Sequence, residues 1–199
     1  MINHIIECQS KKKAVLILLL LTWALFSVDV CLAGTPSPFG RKALAGRFSL
    51  GFHPSFVKNN NFLFFTHLGY GLNSSMSLTS HFSFQNTPFD AYAGLDLRAA
   101  LLNHDRIKLD TYLGAHLGGL GNGYDAGAIC NVDFFSSVGL VMAIDADILS
   151  GKNSANSPVH FIAGLDIPIT RNMGFILNNA FALNRAAYRG FSGGLILFL

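Results

Sequence analysis

From residue 44 to the last residue, large apolar side chains recur at every second position, interleaved with small and polar ones. A period of two is the mark of a β-strand with one apolar face, and no stretch carries a convincing helical stripe. The pattern predicts ten strands. In the first, Leu44, Phe48, Leu50 and Phe52 oppose Arg47, Ser49, Gly51 and His53. The second sets Phe62, Phe64, Thr66, Leu68, Tyr70 and Leu72 against Leu63, Phe65, His67, Gly69 and Gly71. The third sets Met76, Leu78, Phe82 and Phe84 against Ser77, Thr79, His81 and Ser83. The fourth and fifth are the clearest. Ala91, Ala93, Leu95, Leu97, Ala99 and Leu101 oppose Tyr92, Gly94, Asp96 and Arg98. Ile107, Leu109, Thr111, Leu113, Ala115 and Leu117 oppose Lys108, Asp110, Tyr112, Gly114 and His116. The sixth, from Ala126 to Phe134, turns Asn131 and Asp133 to its polar side, and the seventh, from Val138 to Ile148, does so with Gly139, Asp145 and Asp147. His160, Gly164 and Asp166 mark the polar side of the eighth. A ninth strand, Met173 to Leu183, has its apolar face interrupted by Asn179, and the tenth runs to Leu199.

The connections alternate in length. Counted from the N-terminus, the even-numbered ones are tight, at Asn73-Ser74-Ser75, Asn103 to Arg106, Ser136-Ser137 and Pro168 to Asn172. Most odd-numbered ones are longer and rich in Gly, Asn and Ser, notably Gly118 to Tyr124 and Ser150 to Pro158. Short turns on one side, longer loops on the other and an even strand count are what outer-membrane barrels show, with short turns facing the periplasm. Strands of about ten residues also suit a tilted bilayer crossing. Eight strands is the alternative count, because boundaries read from pattern drift by several residues. The run Ala93-Gly94-Leu95-Asp96 returns as Ala163-Gly164-Leu165-Asp166, each with its Asp on the polar face of an even-numbered strand.

Composition decides which face meets what. A soluble barrel needs a polar exterior dense in Lys and Glu. Here the polar face is Gly, Ser, Asn, Asp and His, and the apolar face carries essentially no charge. Arg or Lys at a lipid-facing midplane position costs about 2–4 kcal/mol, which accounts for that strictness. The expectation is therefore an all-β fold, a closed antiparallel transmembrane β-barrel with its apolar face in lipid. Phe62, Phe64, Phe84, Phe134, Phe175 and Phe191 lie near strand ends and would form the interfacial belts, since the one tryptophan is Trp23.

The N-terminal end reads as an export signal. Lys11-Lys12-Lys13 precedes an apolar run from Ala14 to Val28, and Val30-Cys31-Leu32-Ala33-Gly34 offers a small-residue cleavage site after Ala33. The run is short for a spanning helix, and the residues before Cys31 make a poor lipidation site. The expected division is a signal peptide over 1–33 and one barrel domain over 34–199. Of 14 Lys+Arg and 11 Asp+Glu, Lys11, Lys12, Lys13, Glu7 and Asp29 fall in the signal, leaving 11 against 9. That balance is too small to indicate nucleic acid. Cys130 alone survives processing, so no internal disulfide is expected.

The C-terminal segment, with Ser192, Gly194, Leu197, Phe198 and Leu199, resembles the signal by which outer-membrane barrels are handed to their assembly machinery. That signal usually ends on Phe, whereas here Phe198 stands one place early. Signal peptide, alternation and terminal strand together resemble the small outer-membrane β-barrel proteins of Gram-negative bacteria. The resemblance implies an outer-membrane location, porin-like architecture, the barrel-assembly machinery as a partner during biogenesis, and contact with outer-membrane lipid and lipopolysaccharide. It implies no particular activity.

Candidate chemistry lies on the polar face. Arg47, Asp96, Arg98, Lys108, Asp110, His116, Asp133, Asp145, Asp147, His160 and Asp166 would all face the lumen. Buried charges need partners, so one ion-pair network plugging a structural or interaction barrel is the leading expectation. A narrow pore for small solutes or ions, lined by the same groups, is the alternative. His81-Phe82-Ser83 resembles the His-x-Ser element of outer-membrane lipid A deacylases, which implies His81 as base and Ser83 as nucleophile of an acyl hydrolase. That family also orients its histidine with a glutamate, absent after residue 33, and its pair faces lipid, whereas alternation turns these two inward. No catalytic role is therefore assigned. The histidines at 53, 67, 81, 104, 116 and 160 show no HxH or HExxH spacing, and Asp133, Asp145 and Asp147 follow no ligand spacing, so neither metal nor cofactor is expected. Gly118-Gly119-Leu120-Gly121-Asn122-Gly123 reads as a loop between strands, not a phosphate cradle. Lys58, Lys152, Arg185 and Arg189, in or beside the longer loops, suit lipopolysaccharide phosphates.

Overall fold

The computed structural model describes residues 43–57, 61–85, 91–118, 122–135, 138–151, 157–187 and 189–199. The proposed signal peptide lies outside them, as do Lys58, Lys152 and residues 119–121 of the Gly118–Gly123 loop.

Ten antiparallel strands close into a barrel: β1 Phe48–Val57, β2 Asn61–Gly71, β3 Met76–Gln85, β4 Ala91–Asn103, β5 Ile107–Gly118, β6 Gly123–Phe135, β7 Val138–Leu149, β8 Val159–Thr170, β9 Met173–Ala182 and β10 Gly190–Phe198. Each strand pairs with its sequence neighbours, and β1 pairs with β10, so no edge remains. Closure matters because lipid offers unpaired backbone groups no partner. The seam is completed by Leu199 N donating to Phe48 O at 2.9 Å. Strand count and faces agree with the alternation, and the strands reach further than expected at several ends. β6 begins at Gly123 instead of Ala126, and β8 runs through Pro168 to Thr170. Proline cannot donate to a ladder, and Pro168 sits where the β8–β9 register shifts. The first strand is shorter: Leu44 lies before β1, where the chain turns at Gly46 (φ +71°) and Ala45 bridges Gly71.

Both described chain ends and the connections 72–75, 104–106, 136–137 and 171–172 share one end of the barrel, here the turn side. Asn73 Oδ1 caps the first of these, accepting from Ser75 N and Met76 N at 2.8 Å each. The opposite, loop side carries the longest connections, 150–158 and 183–189.

Outward positions on the described strands are mostly apolar and carry no charge, with Thr66, Ser80, Thr111 and Asn179 the polar interruptions. Phe52, Phe56, Leu68, Phe82, Leu95, Leu97, Leu113, Leu117, Ile144 and Leu195 are all exposed on the outer face, as are Phe84 and Phe134 of the expected aromatic belts. No helix among the described residues is long and apolar enough to cross a membrane, which says nothing about strands. Most inward positions are buried. One wall of the lumen is an apolar cluster of Tyr112, Ile129, Val141, Ala143, Ile162 and Ala180. A second cluster joins Ile176, Ile196 and Phe198.

The C-terminal segment divides by parity: Ser192 faces inward opposite Ser55, whereas Leu197 faces outward opposite Leu50. Gly194 and Phe198 share the inner face with Ser192, and Leu199 is exposed.

Candidate functional site

The pairing register assembles the polar face into rows that wind around the lumen. One runs Leu149, Gly123, His116, Gly94, His81, His67, Gly51 across β7 to β1. The next runs Asp147, Asp125, Gly114, Asp96, Thr79, Gly69. A third runs His160, Asp145, Gly127, Tyr112, Arg98, Ser77. Glycines alternate with large polar side chains for a packing reason. A Cβ on Gly51 would strike the ring of His67, one on Gly94 the ring of His81, one on Gly114 the carboxylate of Asp96, and one on Gly127 the ring of Tyr112. Each bulky group lies across the glycine paired with it on the next strand, so the missing side chain is the space the ring or carboxylate occupies.

Toward the loop side these rows converge on one cluster. His116 Nδ1 lies 2.9 Å from Asp125 Oδ1. His81 Nδ1 lies 3.3 Å from Asp96 Oδ2, and its Nε2 lies 3.9 Å from Asp125 Oδ2. The Tyr92 hydroxyl sits between, 3.2 Å from His81 Nε2 and donating to Asp125 Oδ1 at 3.2 Å. The Tyr92 ring stacks on His81 and packs against His116, with centroids 5.3 and 5.0 Å apart. Beside it, the Tyr112 hydroxyl donates to Asp145, whose Oδ2 faces His160 Nδ1 at 3.7 Å. All of these residues are buried. His53 and His67 form a further stacked pair, centroids 5.1 Å apart.

The turn side differs. Arg98 donates through Nε and Nη2 to Asp110 Oδ2 at 3.0 and 2.5 Å, with both side chains buried. Lys108 meets Asp133 at 3.3 Å, but both are about half exposed. These residues, with Arg47, Arg171, Asp166 and Phe198, line an open cavity of about 840 Å³.

The eleven lumen charges expected from sequence gather toward the two ends of the lumen. Asp96, His116, Asp145, Asp147 and His160 join the loop-side cluster. Arg98, Lys108, Asp110, Asp133 and Asp166 belong to the turn side, and Arg47 is exposed at its rim. The two groups adjoin at β4, where Asp96 and Arg98 stand two residues apart, and alternation says nothing of depth. Asp125, the residue that links His81 to His116, lies one residue before the expected start of the sixth strand. Extending the period back through Gly127 to Asp125 and Gly123 would have found it. Tyr92 and Tyr112 were placed on the polar face without a role.

His81 and Ser83 both face inward and are buried, as alternation required, and the ring nitrogens of His81 face Asp96, Asp125 and Tyr92. At the level of sequence the chain matches no family model and no curated protein. In fold it is similar to the NanC porin, with a TM-score of 0.53 at 8% identity over 74% of this chain and 98% of that one.

The fold is that of an outer-membrane β-barrel.

The KdgM porin (TM-score 0.47, 11% identity, 75% and 98% covered) and a de novo designed transmembrane β-barrel (0.45, 7%, 80% and 100%) also match. At such identities the likeness concerns architecture. The polar cluster has to be read from this chain's own side chains.

Proposed function

We propose that this chain is an integral outer-membrane barrel of structural or interaction type, without enzymatic activity, its lumen closed at the loop side and open as a blind vestibule at the turn side. Burial of the inward side chains carries the reading. Val141 and His160 are 0% exposed, and His81, Asp96, Asp125, Asp145 and Asp147 are each at or below 3%. Water filling a continuous channel would wet these groups. The uncharged, largely apolar exterior of the described strands supports placement in lipid, and the turn side, holding both described chain ends, would face the periplasm. Exposed Arg185 and Arg189 on the loop side would then meet lipopolysaccharide phosphates.

The test is conductance of protein purified from the membranes of cells expressing it and inserted into a planar bilayer. Silence from folded, inserted protein is expected. Discrete stable openings would refute the closed lumen and favour the second reading, a narrow pore, for which the 840 Å³ vestibule would be the wider mouth. Recovery of the protein only in soluble fractions would refute both.

A further inference from the structure

We propose that the loop-side cluster is a site for a first-row divalent cation, held by His116, Asp125 and Asp147 and supported through the second oxygen of Asp125 by His81 and Asp96. Whether the barrel conducts does not enter the argument.

Two three-residue sets have donor atoms within 4.8 Å of one another, His116–Asp125–Asp147 and His81–Asp96–Asp125, and Asp125 belongs to both. Its Oδ1 faces His116 and its Oδ2 faces His81. Donors around a tetrahedral ion with bonds of about 2.0–2.1 Å stand roughly 3.3 Å apart, so small adjustments bring the present atoms to coordination distance. Four carboxylates, Asp96, Asp125, Asp145 and Asp147, are buried here against three imidazoles, His81, His116 and His160. An imidazole is cationic only when protonated, so wherever these carboxylates ionise the layer carries excess negative charge where solvation is poorest. A bound cation supplies the missing compensation.

Hydrogen bonding points the same way. Asp147 Oδ1, in a residue 2% exposed, has no hydrogen-bond partner. Orphaned polar atoms at this depth are rare in folded proteins and call for an explanation. A shared ion would give Asp147 its partner. Mixed imidazole and carboxylate donors suit zinc, iron or manganese better than magnesium or calcium, which prefer oxygen alone. Access is short: His116, Asp125 and Asp147 each lie two residues from the loop-side end of their strands.

The experiment strips protein purified from membranes with chelator and titrates it with Co²⁺ in detergent, following visible absorption. One equivalent should bind per chain, with bands more intense than those of hydrated Co²⁺ and competed away by Zn²⁺. Asp147→Asn and Asp125→Asn should each weaken binding at least tenfold. His104→Ala, at an exposed turn on the other side, should leave the titration unchanged. A folded wild-type protein that takes up no Co²⁺ would overturn the proposal. So would undiminished binding in both Asn variants. Should neither variant fold, X-ray absorption of the Zn²⁺-loaded wild type decides, because a shell lacking imidazole nitrogen is incompatible with His116 as a ligand.

Discussion

Replacing Gly94 by alanine tests the packing principle of the lumen most directly. The new methyl would occupy the position of the His81 ring, with no other atom among its nearest contacts. His81 is 1% exposed and held by Tyr92, Asp96 and Asp125, so it has no free space to swing into. Overpacking of this kind costs about 1–3 kcal/mol, and loss of the bond to Tyr92 adds about 0.5–1.5 kcal/mol. Gly94→Ala should therefore destabilise the barrel by roughly 2–4 kcal/mol. His81→Ala alone should also destabilise, by about 3–5 kcal/mol, since it strips buried carboxylates of a partner. Together, however, the methyl enters the space the ring has left. In the His81→Ala background, Gly94→Ala should cost nothing, or stabilise by about 0.4–1 kcal/mol through reduced freedom of the unfolded chain. The coupling between the two sites is thus about 2–4 kcal/mol, far above the few tenths seen for independent sites. Reversible urea unfolding from lipid vesicles, followed by far-ultraviolet circular dichroism, measures all four corners of the cycle. Additive effects would refute the interlock between glycine and ring.

The two ion pairs of the turn side should separate cleanly in the same unfolding assay. Asp110→Asn leaves the buried Arg98 guanidinium without its anionic partner and should cost about 3–5 kcal/mol, whereas Lys108→Ala breaks a half-exposed pair worth less than about 1 kcal/mol. On the outer face, Leu113 is 65% exposed in the middle of β5, and Leu113→Arg should cost about 2–4 kcal/mol in a bilayer. An unchanged stability for Leu113→Arg would mean that this face does not meet lipid.

Much of the architecture was legible in the residues. Strand count and the inward or outward sense of each side chain follow from a period of two, because a pleated strand must send neighbouring side chains to opposite faces. The inward turn of His81 and Ser83 was legible on the same ground, and it sets them apart from a lipid-facing catalytic pair. Boundaries were less so. Glycine and asparagine at 118–123 signal a loop as readily as a strand end, so the start of β6, and Asp125 with it, is not marked in the residues.

What the sequence by itself determined is therefore local: ten segments, two faces, and a polar inventory confined to one of them. Which of those polar groups meet was decided only by the tertiary structure. Asp125 and Asp147 are neighbours because the β6–β7 register pairs them. His81 reaches Asp125 across the width of β4 and β5, its ring lying in the space that a side chain on Gly94 would fill. Register and closure depend on every strand pairing with two others at once, a condition no single segment contains. That condition also separates the half-exposed Lys108–Asp133 pair from the buried loop-side cluster, though alternation gives both the same inward sense.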